Sequence, residues 1–144
     1  MRKVLYILFL LLPTLFFSCE IETSGNGKLD GNWQLQFVDT LSTGGICDMG
    51  QSGIYWGVEN KLLQVRNTES GKKILFRFEK NENTLTIHSP HLVENKYETT
   101  PVEDVSVLAP YGISGTEEMF VVEKLSNGRL FLASKQLRLR FRRY

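Results

Sequence analysis

The most restrictive feature of this 144-residue chain is the alternation of apolar and polar side chains in short runs. The last run, QLRLRFRR, places Leu137, Leu139 and Phe141 on one face and arginines on the other. A period of two is typical of a β-strand that has one face buried. Before this run, Asn127-Gly128 separates two apolar stretches, and both residues tolerate the positive φ of a tight hairpin. The pattern therefore predicts an antiparallel β-protein.

The alternation predicts eight strands, joined mostly by tight turns. They cover residues 32–38, 54–59, 61–67, 73–79, 84–89, 117–125, 129–134 and 136–143. An even number of short antiparallel strands can close into an up-and-down barrel, which leaves no strand edge unpaired. A two-sheet sandwich fits less well, because its crossovers need longer connections. We therefore predict an all-β fold, an antiparallel barrel of about eight strands with one short helix.

Two segments interrupt the strand pattern. Residues 43–53, TGGICDMGQSG, are rich in glycine, which disfavours both helix and strand, so we predict a loop there. Residues 90–116 form a stretch that is too long for a structureless connection in a compact domain. Within it, TPVE at 100–103 is typical of a helix N-terminus, and Pro110 ends the helix. We predict a helix over residues 101–109, laid across an opening or an outer wall of the barrel.

The N-terminal segment has the layout of an export signal. Arg2 and Lys3 precede an apolar run that ends at Phe17. This run is too short to span a bilayer, which needs roughly 20 residues. Its end, Phe-Phe-Ser-Cys at 16–19, resembles the lipobox of bacterial lipoproteins, in which a small residue precedes the cysteine that is acylated. The resemblance implies that Cys19 carries lipid and becomes the new N-terminus.

The chain is accordingly predicted to have three regions. Residues 1–18 are the lipoprotein signal peptide, residues 19–29 a lipid-anchored flexible tether, and residues 30–144 the folded barrel domain. A single acyl chain binds membranes only marginally, so the three chains typical of that family would make the attachment durable. We predict an outer-membrane lipoprotein of a Gram-negative-type cell, facing the periplasm or the cell surface.

Composition argues against several classes of function. Removal of Arg2 and Lys3 with the signal leaves 15 of the 17 basic residues against 16 acidic ones, a net charge of −1. A near-neutral chain without a basic block argues against nucleic-acid binding. Cys47 has no intrachain partner once Cys19 is acylated, so no disulfide framework is expected. The length suggests one domain.

The first predicted strand carries a recognisable motif. Gly31-Asn32-Trp33 resembles the Gly-x-Trp motif of the lipocalins, in which the tryptophan closes one barrel end beneath an arginine from the last strand. The resemblance implies this role for Trp33, with Arg138, Arg140 and Arg142 as candidates for the arginine. From its Ser-Cys motif to FVVEKLSNGRLFLAS…LRLRFRR, the chain resembles bacterial lipocalin-like lipoproteins of unknown function. It is shorter than true lipocalins and lacks their usual disulfide, which argues against a large ligand cavity.

Three sets of residues could support chemistry, but each has a simpler structural interpretation. His88 and His91 lie three residues apart at a strand end, and a metal ion would need further ligands. The pairs Glu103-Asp104 and Glu117-Glu118 could divide acid and base roles, but adjacent strand residues point apart. Cys47 could act as a nucleophile beside a histidine, although nothing in the sequence brings them together. We predict no metal, no cofactor and no enzymatic activity.

Tyr55, Trp56 and Arg140 are the predicted ligand-binding residues. Aromatic rings beside Gly57 and a flexible loop suit sugar stacking or barrel packing, and neighbouring strand residues face opposite ways, so at most one ring is in the core. Arg140 belongs to a row of arginines that could receive an anionic ligand or face solvent.

The leading hypothesis is therefore non-enzymatic binding of a small, partly apolar ligand or a glycan, inside the barrel or at its mouth. The alternative is a structural or interaction module with a filled barrel that docks another envelope protein. A cavity above roughly 300 Å³ would favour the first hypothesis. A solidly packed interior would favour the interaction module. The residues predicted to pack it are Trp33, Leu35, Phe37, Phe76, Phe120 and Phe131.

Overall fold

The part of the chain that the computed structural model describes, residues 25–144, contains ten β-strands and three single 3-10 turns. The predicted signal peptide, Cys19 and residues 20–24 of the tether lie outside the described residues. The strands are β1 Gly31–Thr40, β2 Gly45–Asp48, β3 Ile54–Glu59, β4 Leu62–Asn67, β5 Lys73–Lys80, β6 Thr84–Val93, β7 Thr99–Pro101, β8 Glu118–Leu125, β9 Arg129–Ala133 and β10 Leu137–Arg143. The 3-10 turns are Gly27–Leu29, Val105–Val107 and Ala109–Tyr111.

Eight of these strands close into a barrel. They follow the order β1, β3, β4, β5, β6, β8, β9 and β10, each antiparallel to the next, and β10 pairs back with β1. In this closing pair Trp33 lies opposite Arg143 and Thr40 lies opposite Leu137. The eight predicted strands correspond to these eight, so the prediction of a closed antiparallel barrel is confirmed.

Two short strands lie outside the barrel order and were not predicted. β2 pairs with the second half of β1, and β7 pairs with the end of β6. β2 falls within residues 43–53, where the glycine content predicted only a loop. All four of its residues are exposed, so backbone pairing with β1 holds this strand without burial. A strand of this kind leaves no hydrophobic pattern in the sequence.

The connection between β7 and β8 closes the end of the barrel at which β1 ends and β10 begins, here called the upper end. Its 3-10 turns bring Leu108, Tyr111 and Ile113 into the core, each at most 3 % exposed. Gly112 makes this possible, because its φ of 82° turns the chain and its bare Cα lies against Leu139. The short helical segment predicted within residues 101–109 is therefore present, but as 3-10 turns.

The predicted start of that helix is wrong. Thr100 and Pro101 belong to strand β7, which pairs with β6. The helical turn begins later, where the Asp104 carboxylate accepts a hydrogen bond from the Ser106 backbone N–H. Backbone pairing with β6 has overridden the local capping pattern.

Strand β1 contains a β-bulge that reverses its alternation. Leu35 lies opposite Phe141, but Phe37 lies opposite Arg140, so Gln36 is an extra residue on β1. Phe37 consequently faces outwards, beneath the guanidinium of Arg140. The prediction that Phe37 packs in the core is therefore wrong, because one inserted residue moves every later side chain to the other face.

Large side chains fill the barrel interior. Five aromatic residues are less than 2 % exposed, namely Trp33, Trp56, Phe76, Phe120 and Phe141. Of the six residues predicted to pack a filled barrel, four are buried in this cluster. The exceptions are Phe37 and Phe131, and Phe131 lies on the outer face between the buried Leu130 and Leu132.

Candidate functional site

Trp56 points into the barrel, as the alternation of β3 requires. Its ring centroid lies 5.0 Å from that of Phe141 and 5.8 Å from that of Phe120. Its Nε1–H is buried and finds no acceptor within residues 25–144. An unpaired buried donor costs about 1–3 kcal/mol, so a ligand inside the barrel could add a hydrogen bond to Trp56. Four of the well-formed depressions of the described residues, however, lie on the outer surface.

The lower end of the barrel is closed by Trp33. Its Nε1–H donates to the Leu29 carbonyl at 2.8 Å, and the Arg143 guanidinium lies 4.3 Å from its ring centroid. The role of Trp33 implied by the Gly-x-Trp motif is thus observed. The prediction that Arg138, Arg140 or Arg142 covers Trp33 is wrong, because these three side chains project from the outer face of β10. Arg143 lies on the same, inward-facing side of β10 as Leu139 and Phe141.

Arg140 lies on the outer face and is engaged by its neighbours. Its Nη2–H donates to Asp39 Oδ1 at 2.9 Å, and its guanidinium lies 4.4 Å from the Phe37 ring centroid. Its Nε–H is buried without an acceptor in the described part of the chain. Arg140 therefore has one unused donor, but no open depression beside it among the best-formed ones.

Tyr55 also lies on the outer face, where three side chains form a small cluster. The Arg66 guanidinium carbon is 5.0 Å from the Tyr55 ring centroid, and Tyr144 meets Tyr55 edge to face with centroids 5.0 Å apart. The barrel wall separates Trp56 from Tyr55 and Arg140. The three predicted ligand-binding residues consequently do not form a single site.

A hollow beside Tyr55 is the most promising site that sequence reasoning missed. It lies on the outer face of β1, β3, β4 and β5, has a volume of about 980 Å³ and is centred on Gly57. Gly57 pairs with Asn32 on β1 and with Gln64 on β4, and Leu75 lies beyond Gln64 on β5. The sequence contained one signal for this hollow, a glycine in the middle of a strand, which often marks a close approach by a ligand or another backbone.

The side chains around this Gly57 hollow combine apolar and polar groups. Leu62 and Leu75 line one side, with Leu62 46 % exposed. Arg66 Nη1–H donates to Asn32 Oδ1 at 3.3 Å, which leaves the Asn32 Nδ2 group free to donate. The Gln64 amide makes no side-chain hydrogen bond within residues 25–144. The hollow can therefore offer amide donors and acceptors next to an apolar wall.

The two histidines line the same surface depression, but their ring nitrogens have separate hydrogen-bond partners. His88 Nε2 lies 3.1 Å from Glu79 Oε1, and His88 Nδ1 lies 2.8 Å from Ser89 Oγ. His91 Nδ1–H donates to the Ser89 carbonyl at 2.9 Å. In the described part of the chain, no group of three or more His, Cys, Asp or Glu residues is arranged to hold a metal ion.

The chain of contacts from Glu79 through His88 to Ser89 has the composition of an acid–histidine–serine triad. Ser89 also has a φ of 55°, which is strained for a non-glycine residue. The Glu79 side chain is 69 % exposed, however, so water screens its charge from the imidazole. Pro90 follows Ser89 and has no N–H with which to stabilise an oxyanion. The geometry supports a surface hydrogen-bond network better than an active site.

Of the other candidates for catalysis, Glu103 and Glu117 line the same surface depression as the two histidines, whereas Cys47, Asp104 and Glu118 are not among its lining residues. Cys47 is exposed on β2, and its sulfur contacts the Met49 sulfur at 3.6 Å. Asp104 caps a 3-10 turn, and hydrogen bonds from the Ser106 hydroxyl and then from the Ser106 backbone N–H lower the pKa of its carboxyl. Glu118 accepts hydrogen bonds from two backbone N–H groups of the preceding loop. The carboxylates of Asp104 and Glu118 therefore have structural partners.

No helix among residues 25–144 is both long and apolar enough to cross a membrane.

A closed eight-stranded antiparallel barrel with a tryptophan at one end, covered by an arginine of the last strand, defines a lipocalin-like protein. The family model of the lipocalin-like domain matches residues 14–144, and the chain therefore belongs to this family. No match is found among curated proteins.

Two solved structures share the fold. A lipocalin-like protein from Bacteroides uniformis is 18 % identical with a TM-score of 0.63, and the alignment covers 82 % of this chain and 100 % of that one. An uncharacterised protein from Bacteroides eggerthii is 17 % identical with a TM-score of 0.59, and the alignment covers 81 % and 99 % of the two chains. At these identities the similarity establishes the fold alone.

Proposed function

We propose that this chain is an outer-membrane lipoprotein whose barrel binds a small, partly apolar ligand without catalysing a reaction. The Ser-Cys end of the apolar N-terminal run supports an acyl anchor at Cys19. Gly27–Leu29 form a 3-10 turn and Leu29 is buried in the core, so these residues of the predicted tether belong to the domain. Residues 20–25 could extend by up to about 20 Å, which is enough to hold the domain clear of the lipid headgroups. The domain then works at the membrane surface, on its periplasmic or its outer side.

Labelling of growing cells with radioactive palmitate tests the anchor. The wild-type chain and the Cys47→Ala variant should incorporate label, whereas Cys19→Ala should not. Cys47→Ala is the matched control, because it removes the other cysteine of the chain. Incorporation of label into Cys19→Ala would show that the anchor is elsewhere.

The observation that carries the binding proposal is the Gly57 hollow. Its volume of about 980 Å³ lies within the range of small-molecule sites, roughly 300–1,000 Å³. Most of its lining comes from strands, which hold side chains more rigidly than loops do. The barrel interior, by contrast, is filled with aromatic rings and closed at both ends by Trp33 and by the segment around Tyr111. These observations support a ligand position on the outer face.

Native mass spectrometry of the full chain, purified in detergent from its own envelope, tests this function. We expect a retained small-molecule adduct on the wild-type protein and its loss in Gly57→Val, which fills the hollow. An adduct that survives in Gly57→Val but disappears in Trp56→Phe would place the ligand inside the barrel. Absence of any adduct would contradict the proposal.

A second candidate function, docking of another envelope protein, is favoured by a different surface. Met119 and Val121 are 59 % and 46 % exposed, and both project outwards from β8. Neighbouring exposed apolar side chains on a β-surface are typical of protein contacts. On this hypothesis a protein co-purifies with the chain, and Val121→Lys abolishes the co-purification while Gly57→Val leaves it unchanged.

A further inference from the structure

We infer that the Gly57 hollow recognises a carbohydrate, specifically the ring of a neutral hexopyranose. This inference rests on the proposed binding function and names its ligand class. It is supported by four features: a backbone floor, flanking amide groups, an exposed aromatic ring next to the hollow and a lining that carries more acidic than basic side chains.

The floor of the hollow is backbone, because strand β3 has no side chain at its centre. A Cβ atom at Gly57 would lie 3.0 Å from Asn32 Oδ1, so even a methyl group would crowd the amide beside it. The φ of Gly57 is not positive, so its backbone does not require glycine. Strands disfavour glycine, so the feature that Gly57 provides is the close approach of the Asn32 amide to the strand backbone.

Amide side chains stand on both sides of this floor. Asn32 and Gln64 flank Gly57 in register on β1 and β4. Asn32 Oδ1 is oriented by Arg66, and the Gln64 amide keeps both its donor and its acceptor for a ligand. Planar groups that present a donor and an acceptor side by side match neighbouring hydroxyl groups on a sugar ring.

An aromatic ring, that of Tyr144, stands next to the hollow, although Tyr144 is not one of the lining residues. The Tyr144 N–H donates to the Asn32 carbonyl at 3.0 Å, which fixes the Tyr144 backbone beside the hollow. Its ring is held edge to face by Tyr55, and Tyr144 remains 74 % exposed. The axial C–H groups of a pyranose form an apolar face, which packs favourably on an aromatic surface.

The charged side chains that line the hollow are two acids, Glu59 and Asp30, and one base, Arg66. Arg66 and Glu59 lie at opposite ends of the Gly57–Gln64 pair. The Asp30 carboxylate accepts a hydrogen bond from the Asn26 amide at 2.8 Å. A sugar acid or a fatty acid would bring its carboxylate towards Glu59 and Asp30 as well as Arg66, so a neutral polyhydroxyl ring fits best.

Titration of the ¹⁵N-labelled full chain by NMR, in a detergent without a sugar headgroup, tests the inference. The probes are methyl glycosides of glucose, galactose and mannose, with glucuronate and cyclohexylmethanol for comparison. The side-chain amide signals of Asn32 and Gln64 should shift saturably with at least one neutral glycoside. Gly57→Val should weaken that binding at least tenfold, because valine suits a strand but occupies the hollow.

Thr86→Val is the matched control, because it adds valine to the outer face of β6, which β4 and β5 separate from β3. Its binding should equal that of the wild type. If only cyclohexylmethanol shifts the amide signals, the carbohydrate assignment is overturned while the binding function stands. If only glucuronate does so, the charge argument is overturned. If no probe shifts them, both the inference and the site of the proposed function are contradicted.

Discussion

At the scale of single residues, Arg143 on the last strand is the side chain that binds to the residues at the start of the first strand. Its guanidinium covers Trp33 and donates to three backbone carbonyls, those of Lys28, Asp30 and Asn127. Gly31 leaves room for it, since a Cβ there would lie 2.5 Å from Arg143 Nη1. The planar fork of arginine suits this geometry, which a lysine ammonium could not reproduce.

Replacement of Arg143 should therefore destabilise the protein. Arg143→Ala removes a cation–π contact and several charged hydrogen bonds, so we expect the free energy of unfolding to fall by about 2–3 kcal/mol in urea titrations. Arg129→Ala, at an exposed site on β9, is the control and should change it by less than about 0.5 kcal/mol. Equal losses in the two variants would contradict a special role for Arg143.

The buried Tyr111 predicts a pH dependence. Burial raises the pKa of its hydroxyl above the ordinary value of 10.0, so the folded state holds this proton more tightly than the unfolded state does. The stability associated with the neutral hydroxyl is complete below pH 10 and is lost as the pH rises through the folded-state pKa. In Tyr111→Phe the fall in unfolding free energy above pH 10 should be smaller than in wild type. Tyr97→Phe, at a site 85 % exposed, should behave as wild type.

At the scale of elements, the bulge in β1 places Leu35 in the core and Phe37 on the outer face of the barrel. Leu35→Ala should lower the free energy of unfolding by about 2–5 kcal/mol, because it opens a cavity. Phe37→Ala should cost only about 1 kcal/mol, because it removes a contact with Arg140 on the outer face. Chemical denaturation of both variants measures the difference. A larger loss for Phe37→Ala would mean that β1 has no bulge.

The upper closing segment depends on one glycine. Gly112 and Gly71 have similar φ values, 82° and 75°, but a Cβ at Gly112 would lie 2.5 Å from Leu139 Cδ2, while nothing lies within 4 Å of one at Gly71. Gly71→Ala should therefore cost only backbone strain, about 1 kcal/mol. Gly112→Ala should cost about 1–3 kcal/mol more through overpacking, measured as a lower urea midpoint. Similar urea midpoints for the two variants would show that the closing segment can move to accommodate the added methyl group without a loss of stability.

The elements that were predicted correctly are those with a local signal. Hairpin dipeptides and alternation located all eight barrel strands, because a half-buried strand leaves that pattern in its own sequence. β2 and β7 left none, because each is held by backbone pairing with the preceding strand and all of its residues are exposed. The capping pattern at 100–103 was real but weak, and the pairing of Pro101 opposite His91 outweighed it.

At the scale of the whole molecule, a barrel filled with aromatic rings has no room for a long apolar ligand. We predict no saturable fluorescence enhancement when an apolar probe such as dansylaminoundecanoate is titrated into the full chain. A lipocalin with an open interior, run in parallel, serves as the positive control. Saturable binding that Trp56→Phe alters would contradict the outer-face site and return the ligand to the interior.

Part of the candidate site could be predicted from one strand of the sequence, and the rest depended on how distant strands pair. Tyr55 and Gly57 were visible in the sequence as an aromatic residue and a glycine on one strand. Their partners Asn32 and Gln64 come from strands 25 residues before and 7 residues after Gly57, and only the register brings them together. The predicted group of Tyr55, Trp56 and Arg140 failed to converge because a barrel wall has two faces.

The sequence by itself determined the class of fold, the eight barrel strands and the Gly-x-Trp end of the barrel, since each is encoded by adjacent residues. The acyl anchor at Cys19 stays a prediction from the sequence. The tertiary structure alone decided the bulge at Gln36, the choice of Arg143, the closing segment and the Gly57 hollow. The physical reason is that the period-two pattern of a strand shows only which of its residues face the core and which face solvent. Which side chains then meet depends on closure of the barrel, which pairs residues about 100 positions apart along the chain.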